Sequence, residues 1–450
     1  MGGLTLDSTL GVARATDTGG EHWLPTDSWN FTSFVLGMVL EAYIFGMAAI
    51  ATGWVAMPTT LRSLLLSWAP LWLIIGIAVA GPLSDRVGRK TTFYITMTLY
   101  GIGAIGLVFS FTYWLILIFL ALMLFAAGGE MNTIMTASHE VMPARHRSKT
   151  MMLEINGINL GSLILAAVSL LSAYKGVAFE RGMIAATFIV VLAVLFFART
   201  RTPESIRWLR SKGMDQRAET EIARFYGVEE YRARDAAAAE ETAAAQAKGA
   251  VRTVSIGLRL VVISCLAFAG TTGFGLLTYV LGPAHFPKLT AAILLVASIT
   301  GFVSGFYALW AERWSRKKML LVGYCGTFLA TLIIALTTSA WAASAALFFF
   351  LLVVLNVFSN VSYLSQDTLK GEVWPTGRRG TYTAVVRFVG IGLYIPTIYL
   401  TQSYSLNTFV IFSLGVWAVG ALASIVWAVR GVETGAGVSL DVASGTVGAA

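Results

Sequence analysis

The sequence predicts an all-α membrane protein of twelve transmembrane helices in two six-helix repeats, and three observations carry that reading. Hydrophobic residues make up 56% of the chain and charged residues 12%, against about 25% charged in a soluble domain; mean hydropathy is +0.73. Apolar runs such as LLLSWAPLWLIIGIAVAG, YWLILIFLALMLFAAGG and AALFFFLLVVLNVF approach or reach the ~20 residues that cross a ~30 Å hydrocarbon core as a helix. The hinge GPLSDRVGRK at 81–90 is repeated in layout by ALWAERWSRK at 308–317, and Glu140, Pro143 and Arg147 of EVMPARHR recur as Glu372, Pro375 and Arg379 of EVWPTGRR, at offsets of 227 and 232 residues. Strand-like alternation is missing, which argues against an outer-membrane barrel.

Residues 1–28 are polar, Gly-rich and slightly acidic, without a cleavable signal, and read as a cytoplasmic tail. The first half, 29–200, divides into helices at 29–54, 63–84, 91–111, 114–141, 148–174 and 181–200. The first opens near Phe31, the second runs into the basic hinge and the third leaves it. The fourth closes on EVMPARHR and the fifth holds Asn156 and Asn159. A polar stretch at 201–258, rich in Ala, Glu and Arg, reads as a helical linker whose second part, DAAAAEETAAAQAKG, has little apolar material to hold it. The second half, 259–429, gives helices at 259–281, 289–311, 319–338, 343–369, 380–401 and 407–429, and a tail follows at 430–450.

The formal charge of +8 reports topology. Arg62, Lys175, Arg181 and Lys288 fall on one side of these spans. Arg86, Arg89, Lys90, Arg145, Arg147, Lys149, the 199–259 segment, Arg313 to Lys318, Lys370 to Arg379 and Arg430 fall on the other. Positive residues near helix ends are retained inside, so the second side and both termini are expected in the cytoplasm of a bacterial inner membrane. The lipid bilayer, not nucleic acid, is the partner this charge implies. Cys265 and Cys325 stand in apolar surroundings and read as small packing residues. His139 and His146 lack metal-ligand spacing to any acid or cysteine, and no nucleotide-binding Gly-Lys-Ser/Thr loop appears. No cofactor, metal or enzymatic activity is expected.

Several motifs resemble one family. Gly81, Asp85, Arg86, Gly88, Arg89 and Lys90 look like the signature between helices 2 and 3 of the major facilitator superfamily. RTPESIRWL, with Pro203, Glu204, Ser205, Arg207 and Trp208, resembles the motif after helix 6 in its sugar-porter and organic-ion branches. EVWPTGRRGT and the tail RGVETGAGVSL are similar to further motifs of the same branches. GGEMNTIMTASHEVMP and VVRFVGIG look more like aromatic-acid, niacin and organic-ion carriers, and helix 7 lacks the paired glutamines of a sugar porter. EAYI in helix 1 has Glu41, with Ile44 in the second of the two places where organic-acid carriers hold aspartates. The resemblance implies a major-facilitator-type fold and a hinge that acts as a gate. By that likeness Asp85 pairs across the halves with a basic residue or a helix end. Glu312, with Arg313, is the weaker copy.

Charges inside lipid-spanning helices are expensive and are functional candidates. Glu41 and Glu130, near the middle of helices 1 and 4, are candidates for proton coupling, Glu130 also for substrate contact; either can instead be a satisfied structural pair. Glu154 faces the cavity or pairs locally. Asn156 and Asn159, three apart, share a face that meets substrate or a neighbouring helix. Asn356, Asn360, Tyr363 and Asp367 fall at i, i+4, i+7 and i+11 and form one polar stripe, with Asp367 near the cytoplasmic end as a gate or salt bridge. Arg387, with Thr383 and Tyr394 on its face, suits a carboxylate, or else neutralises an acid of the bundle. Tyr43, Phe45, Tyr279, Tyr363 and Tyr394 are candidates for stacking on a flat substrate. The gating set is Asp85, Arg86, Arg89, Glu140, Arg147, Glu204, Arg207, Glu312, Arg313, Asp367, Glu372 and Arg379.

The expectation is a secondary active transporter that works as a monomer. It moves a small organic acid, an aromatic or heterocyclic carboxylate, with protons, by rocking two parallel repeats about a central site. The alternatives are a sugar or polyol proton symporter, an organic-ion or drug efflux carrier, and a membrane sensor that does not transport.

Overall fold

The computed structural model describes residues 23–51, 53–56, 58, 61–172, 175–247, 254–435 and 443–444, the side chains of a few of them, Tyr279 included, excepted. The first half consists of α1 (Pro25–Ala51), α2 (Arg62–Val87), α3 (Arg89–Val108), α4 (Tyr113–Val141), α5 (Arg147–Ser172) and α6 (Val177–Thr200). Three helices form the linker: α7 (Ile206–Ser211), α8 (Asp215–Phe225) and α9 (Val228–Ala247). The Ala-rich stretch is therefore helical as far as Ala247. The second half begins with α10 (Ile256–Phe274), which a π-helical segment (Gly275–Leu281) and the short α11 (Gly282–His285) continue. Then come α12 (Thr290–Ser304), α13 (Arg316–Leu336), the short α14 (Thr338–Ala342), α15 (Ala345–Glu372), α16 (Arg379–Leu400) and α17 (Leu406–Arg430).

Twelve of the described helices are long and apolar enough to cross a membrane. Their packing inverts that of a water-soluble bundle. Phe111, Leu171, Leu336, Phe350 and Val429 lie on the outer surface, whereas Arg199, Arg316 and Arg379 are buried. Acyl chains are as apolar as leucine, so the bundle is not held together by expelling apolar side chains from lipid; close backbone approach and buried polar contacts do that work. Gly76 of α2 and Gly128 of α4 show the first: a Cβ at either would come within 2.0 Å of a carbonyl oxygen of the other helix, Phe125 O and Leu73 O. Any larger residue there separates the two helices.

Two element boundaries differ from the sequence reading in ways that matter for the site. The span expected at 343–369, α15, runs to Glu372, which places Lys370 inside the bundle. The span expected at 289–311 is α-helical only to Ser304 and tightens into a 3-10 segment over Gly305–Trp310.

The linker packs as a small subdomain on the first half. Ile206, Trp208, Leu209, Ile222 and Tyr226 form its core, with Leu24 from ahead of α1 packed against it. Arg234 of α9 pairs with Asp27 at 2.6 Å. The start of the first membrane helix is thus anchored to the linker at the end of the bundle that carries the basic loops, called here the basic end.

Candidate functional site

A cavity of about 350 Å³ lies between the two halves. From the first half α1 contributes Glu41 and Phe45, α4 Met131, and α5 Asn159 and Ser162; from the second, α10 contributes Thr271 and Phe274, α15 Asn356, Asn360, Tyr363, Asp367 and Lys370, and α16 Arg387 and Tyr394. The five α15 residues continue one helical face, because 3.6 residues per turn returns positions i, i+4, i+7, i+11 and i+14 to the same side. The polar stripe read from the sequence does line the cavity, and Lys370 extends it.

The cavity holds a compact charged group. The Asp367 carboxylate pairs with Lys370 one turn further along α15, and its Oδ2 lies 3.7 Å from Arg387 Nη1. Gln366 Nε2 donates to Asp367 Oδ1 at 2.6 Å. The Arg387 contact is longer than a hydrogen bond. The rest of that guanidinium lies against the sulfurs of Met131 and Met135, and its Nε has no hydrogen-bond partner among the described residues. Glu41 faces this group from α1, within electrostatic reach of both Arg387 and Asp367. Asp367, expected near the cytoplasmic end as a gate or a salt bridge, therefore pairs with Lys370 and stands among the cavity charges.

Beside the charges is a wall of amides. Asn159 Nδ2 donates to Asn360 Oδ1 at 3.1 Å and to Asn156 Oδ1 at 2.9 Å; Asn360 Nδ2 donates to Gly301 O at 2.8 Å and Ser304 Oγ at 3.0 Å. Asn156 sits behind the wall and binds the carbonyl of Phe302 at 3.0 Å. Of the two asparagines on α5, Asn159 reaches the cavity and Asn156 joins α5 to α12.

Three other candidates lie away from the cavity. Tyr43 is buried within the first half, its hydroxyl on Ile184 O at 3.1 Å and its ring beside Phe188. Glu130 is buried among α3, α4 and α6, where it accepts from Arg199 Nη2 at 2.5 Å and from the Thr96 hydroxyl. Arg199 in turn stacks on Phe93, 3.4 Å from its ring centre. Glu154, with Ser138 and Arg199 as polar neighbours, also stands off the cavity. The side chain of Tyr279 lies outside the described residues.

The basic end is closed by contacts that follow the repeat. Asp85 of α2 accepts from Gly380 N at 3.3 Å, Thr381 N at 2.9 Å and the Thr381 hydroxyl at 2.8 Å, at the start of α16. Its counterpart Glu312 accepts from Lys149 N at 2.8 Å, at the start of α5. Each carboxylate meets a helix N-terminus, where backbone N–H groups lack partners and the helix dipole is positive. Arg89 forks onto Glu140 at 2.9 and 3.0 Å, and Arg316 reaches Glu372 at 3.2 Å. Across the interface Arg379 reaches Glu140 at 3.2 Å and Ser148 Oγ donates to Glu372 at 3.4 Å.

Two further carboxylates brace these arginines. Glu204 accepts from the backbone of Arg89 at 3.0 Å and Lys90 at 3.2 Å, beside Gly88, whose φ of 99° suits glycine. Glu433 does the same in the second half, from Arg316 N at 2.7 Å and the Ser315 hydroxyl. Burial pushes the carboxyls of Glu204 and Glu312 above the ordinary range, while the N–H groups of Ser205 and Lys149 pull the other way. Arg147 and Arg207 line a small pocket beside Glu140. Arg86 and Arg313 differ from expectation: both are exposed and make none of these side-chain contacts, whereas Arg89 and Arg316, the first residues of α3 and α13, are buried in them.

Four residues were missed as site residues in the sequence. Standing near helix ends, Lys370 and Arg199 read in the sequence as loop charges. Arg316 and Glu433 are the repeat counterparts of Arg89 and Glu204, and extending the 227-residue offset from Asp85 to Arg89 finds the first of them.

The profile described as Major Facilitator Superfamily matches residues 28–393. Among curated proteins, the chain is 26% identical to the 4-hydroxybenzoate transporter PcaK of Acinetobacter baylyi over 85% of this chain and 86% of that one. It is 23% identical to the glucose transporter GlcP of Staphylococcus epidermidis over 82% and 84%. A niacin transporter, NiaP of Acinetobacter baylyi, matches at 26% over 42% of each chain. Among solved structures, the proton:xylose symporter XylE bound to 6-bromo-6-deoxy-D-glucose superposes with a TM-score of 0.73 at 19% identity, covering 93% of this chain and 99% of that one.

Proposed function

The chain belongs to the Major Facilitator Superfamily and is a multi-pass membrane transporter, and from that premise we propose that it carries a small organic carboxylate, aromatic or heterocyclic, together with a proton. The observation that carries this reading is the setting of Arg387. Its guanidinium stands in the cavity wall beside Lys370, and the nearest carboxylate, Asp367, is 3.7 Å away and already shared with that lysine. A planar guanidinium holds a carboxylate through two parallel N–H donors. Phe45, Phe274, Tyr363 and Tyr394 border the same space and suit a flat ring.

Glu41 takes the coupling role, since it is the cavity carboxyl on the opposite half and faces Arg387. Glu130 is the weaker candidate because its charge is already matched by Arg199. The basic end is the cytoplasmic one, and the Asp85 and Glu312 contacts hold it shut while the cavity accepts its load. A single chain supplies both cavity walls, so the monomer is the working unit.

A sugar or polyol is the second reading, and the amide wall of Asn159, Asn356 and Asn360 favours it, because amides match hydroxyl groups in both donor and acceptor sense. Proteoliposome uptake separates the two. Under an imposed pH gradient, uptake of 4-hydroxybenzoate competed by nicotinate and unaffected by excess hexose supports the carboxylate. Competition by hexose alone transfers the assignment to the sugar, and uptake indifferent to collapse of the pH gradient removes the proton.

A further inference from the structure

We propose that transport is electroneutral: the fixed charges of the cavity admit one monoanionic carboxylate with one proton and balance to zero in both the loaded and the empty carrier. The proposal rests on the carboxylate reading above and concerns the charge that crosses with it. Among the described residues, four charged side chains line the cavity: Glu41 from α1, Asp367 and Lys370 from α15, and Arg387 from α16. The other elements around Glu41 offer neutral groups, including Asn159 and Ser162 of α5, Met131 of α4, Thr271 of α10 and the phenol of Tyr100 on α3. The nearby Glu130 and Arg199 neutralise each other outside the cavity.

With Glu41 ionised the cavity sums to zero. A proton on Glu41 makes it positive by one, a carboxylate alone makes it negative by one, and the two together restore zero. Closing a cavity takes its charges out of water, and an uncompensated charge in a low-dielectric space is strongly disfavoured. The empty and doubly loaded carriers therefore reorient readily, and the singly loaded forms do not. Coupling and electroneutrality follow from the same sum, without a rule that orders the binding events. The proton moves from bulk water to a Glu41 carboxylate oxygen on loading and returns to water on the other side. A dianion would need a second proton site, which the cavity does not supply. A neutral sugar carried with the Glu41 proton would move net positive charge.

The test uses the full chain in proteoliposomes with 4-hydroxybenzoate, corrected for protein-free vesicles. Uptake should follow an imposed pH gradient with about one proton entering per carboxylate, and a potassium–valinomycin potential should change the initial rate less than about twofold, because no net charge crosses the field. No sustained current should appear on a solid-supported membrane. Carboxylate uptake accompanied by inward positive current, or by two protons, overturns the inference and leaves the substrate reading standing. Uptake of hexose with no uptake of any carboxylate overturns both.

Glu41→Gln fixes the cavity at its protonated charge, so carboxylate exchange should persist within about tenfold of wild type while net proton-coupled uptake is lost. Asp367→Asn leaves the same sum, positive by one when empty and zero with the carboxylate, and should likewise sustain carboxylate exchange without protons while net uptake is lost. The wild-type current measurement decides the matter if either variant fails to fold.

Discussion

The Asp85 carboxylate binds Thr381 of the opposite half twice, at 2.9 Å through the backbone N–H and at 2.8 Å through the hydroxyl. Asp85→Asn keeps the shape but removes the charge from a helix N-terminus. Hydrogen bonds to charged groups contribute about 1.5–3 kcal/mol, so the closed basic end should lose about tenfold or more in population, while the cavity, which Asp85 does not line, is untouched. The expected outcome is a slowed exchange rate with substrate affinity within about twofold of wild type. Exchange kinetics and equilibrium binding measured on the same preparation check it. Weakened binding with normal cycling would contradict the assignment.

Glu312 makes the repeat-related contact with one backbone N–H, Lys149 N at 2.8 Å, where Asp85 has two and a hydroxyl. Glu312→Gln should therefore shift the gate by less than Asp85→Asn, about 1.5 kcal/mol at the low end of the same scale. Labelling of single cysteines placed at the basic end would show the order, and an equal or larger effect at Glu312 would show the two latches to be equivalent.

Gly81, the first residue of the hinge, gives the close approach that lets Asp85 reach α16. A Cβ there would meet Ala384 Cβ at 2.5 Å and Gly380 O at 2.8 Å. Gly81→Val should wedge α2 from α16 at a cost of about 1–3 kcal/mol, raising thiol accessibility at the basic end and leaving the two halves individually folded. Unchanged accessibility would mean that the interface absorbs the added methyls elsewhere.

The fold was legible because lipid leaves few choices: a long apolar run must be a helix, and two motifs repeated in the same order at similar offsets point to two copies of one unit. The cavity was legible along α15, where the stripe from Asn356 to Asp367 kept helical spacing. It was not legible at Lys370, nor was the buried pairing of Arg199 outside the cavity. A basic residue near a helix end looks like a topology signal, and only packing shows whether its head turns out to water or back into the bundle, as Arg199 does to meet Glu130. The same limit applied to Asn156 and Asn159, which share a helix face although only one reaches the cavity. Tyr43 shows the opposite limit: its helix carries the polar Glu41 two residues away, yet its own neighbours in space are Ile184 and Phe188.

The Glu130–Arg199 pair gives a stability prediction. Removing one partner of a buried ion pair costs about 3–5 kcal/mol, because the remaining charge stays buried and unmatched, whereas removing both is much milder. Arg199→Met should lower the unfolding temperature of the purified protein sharply, and the double variant with Glu130→Gln should recover most of the loss. If Glu130→Gln alone leaves stability intact but uncouples uptake from protons, Glu130 is the coupling carboxyl and Glu41 is not.

Arg387 provides the sharpest separation of substrate classes. Its guanidinium is buried, lies 3.7 Å from Asp367 and has an Nε without a hydrogen-bond partner among the described residues. A carboxylate that enters can therefore take up donors at little cost to existing bonds. Arg387→Lys keeps the charge but loses the planar fork, and Arg387→Gln loses both. With about 1.5–3 kcal/mol at stake in a charge-assisted contact, Arg387→Gln should weaken carboxylate binding by about tenfold to a hundredfold, with Arg387→Lys between it and wild type. Thermal-shift titration reads the effect directly, since a ligand that binds the folded state raises its apparent stability. A neutral hexose offers no charge to lose, so a sugar carrier would show similar losses for the Lys and Gln variants, and that pattern would exclude the anion role of Arg387.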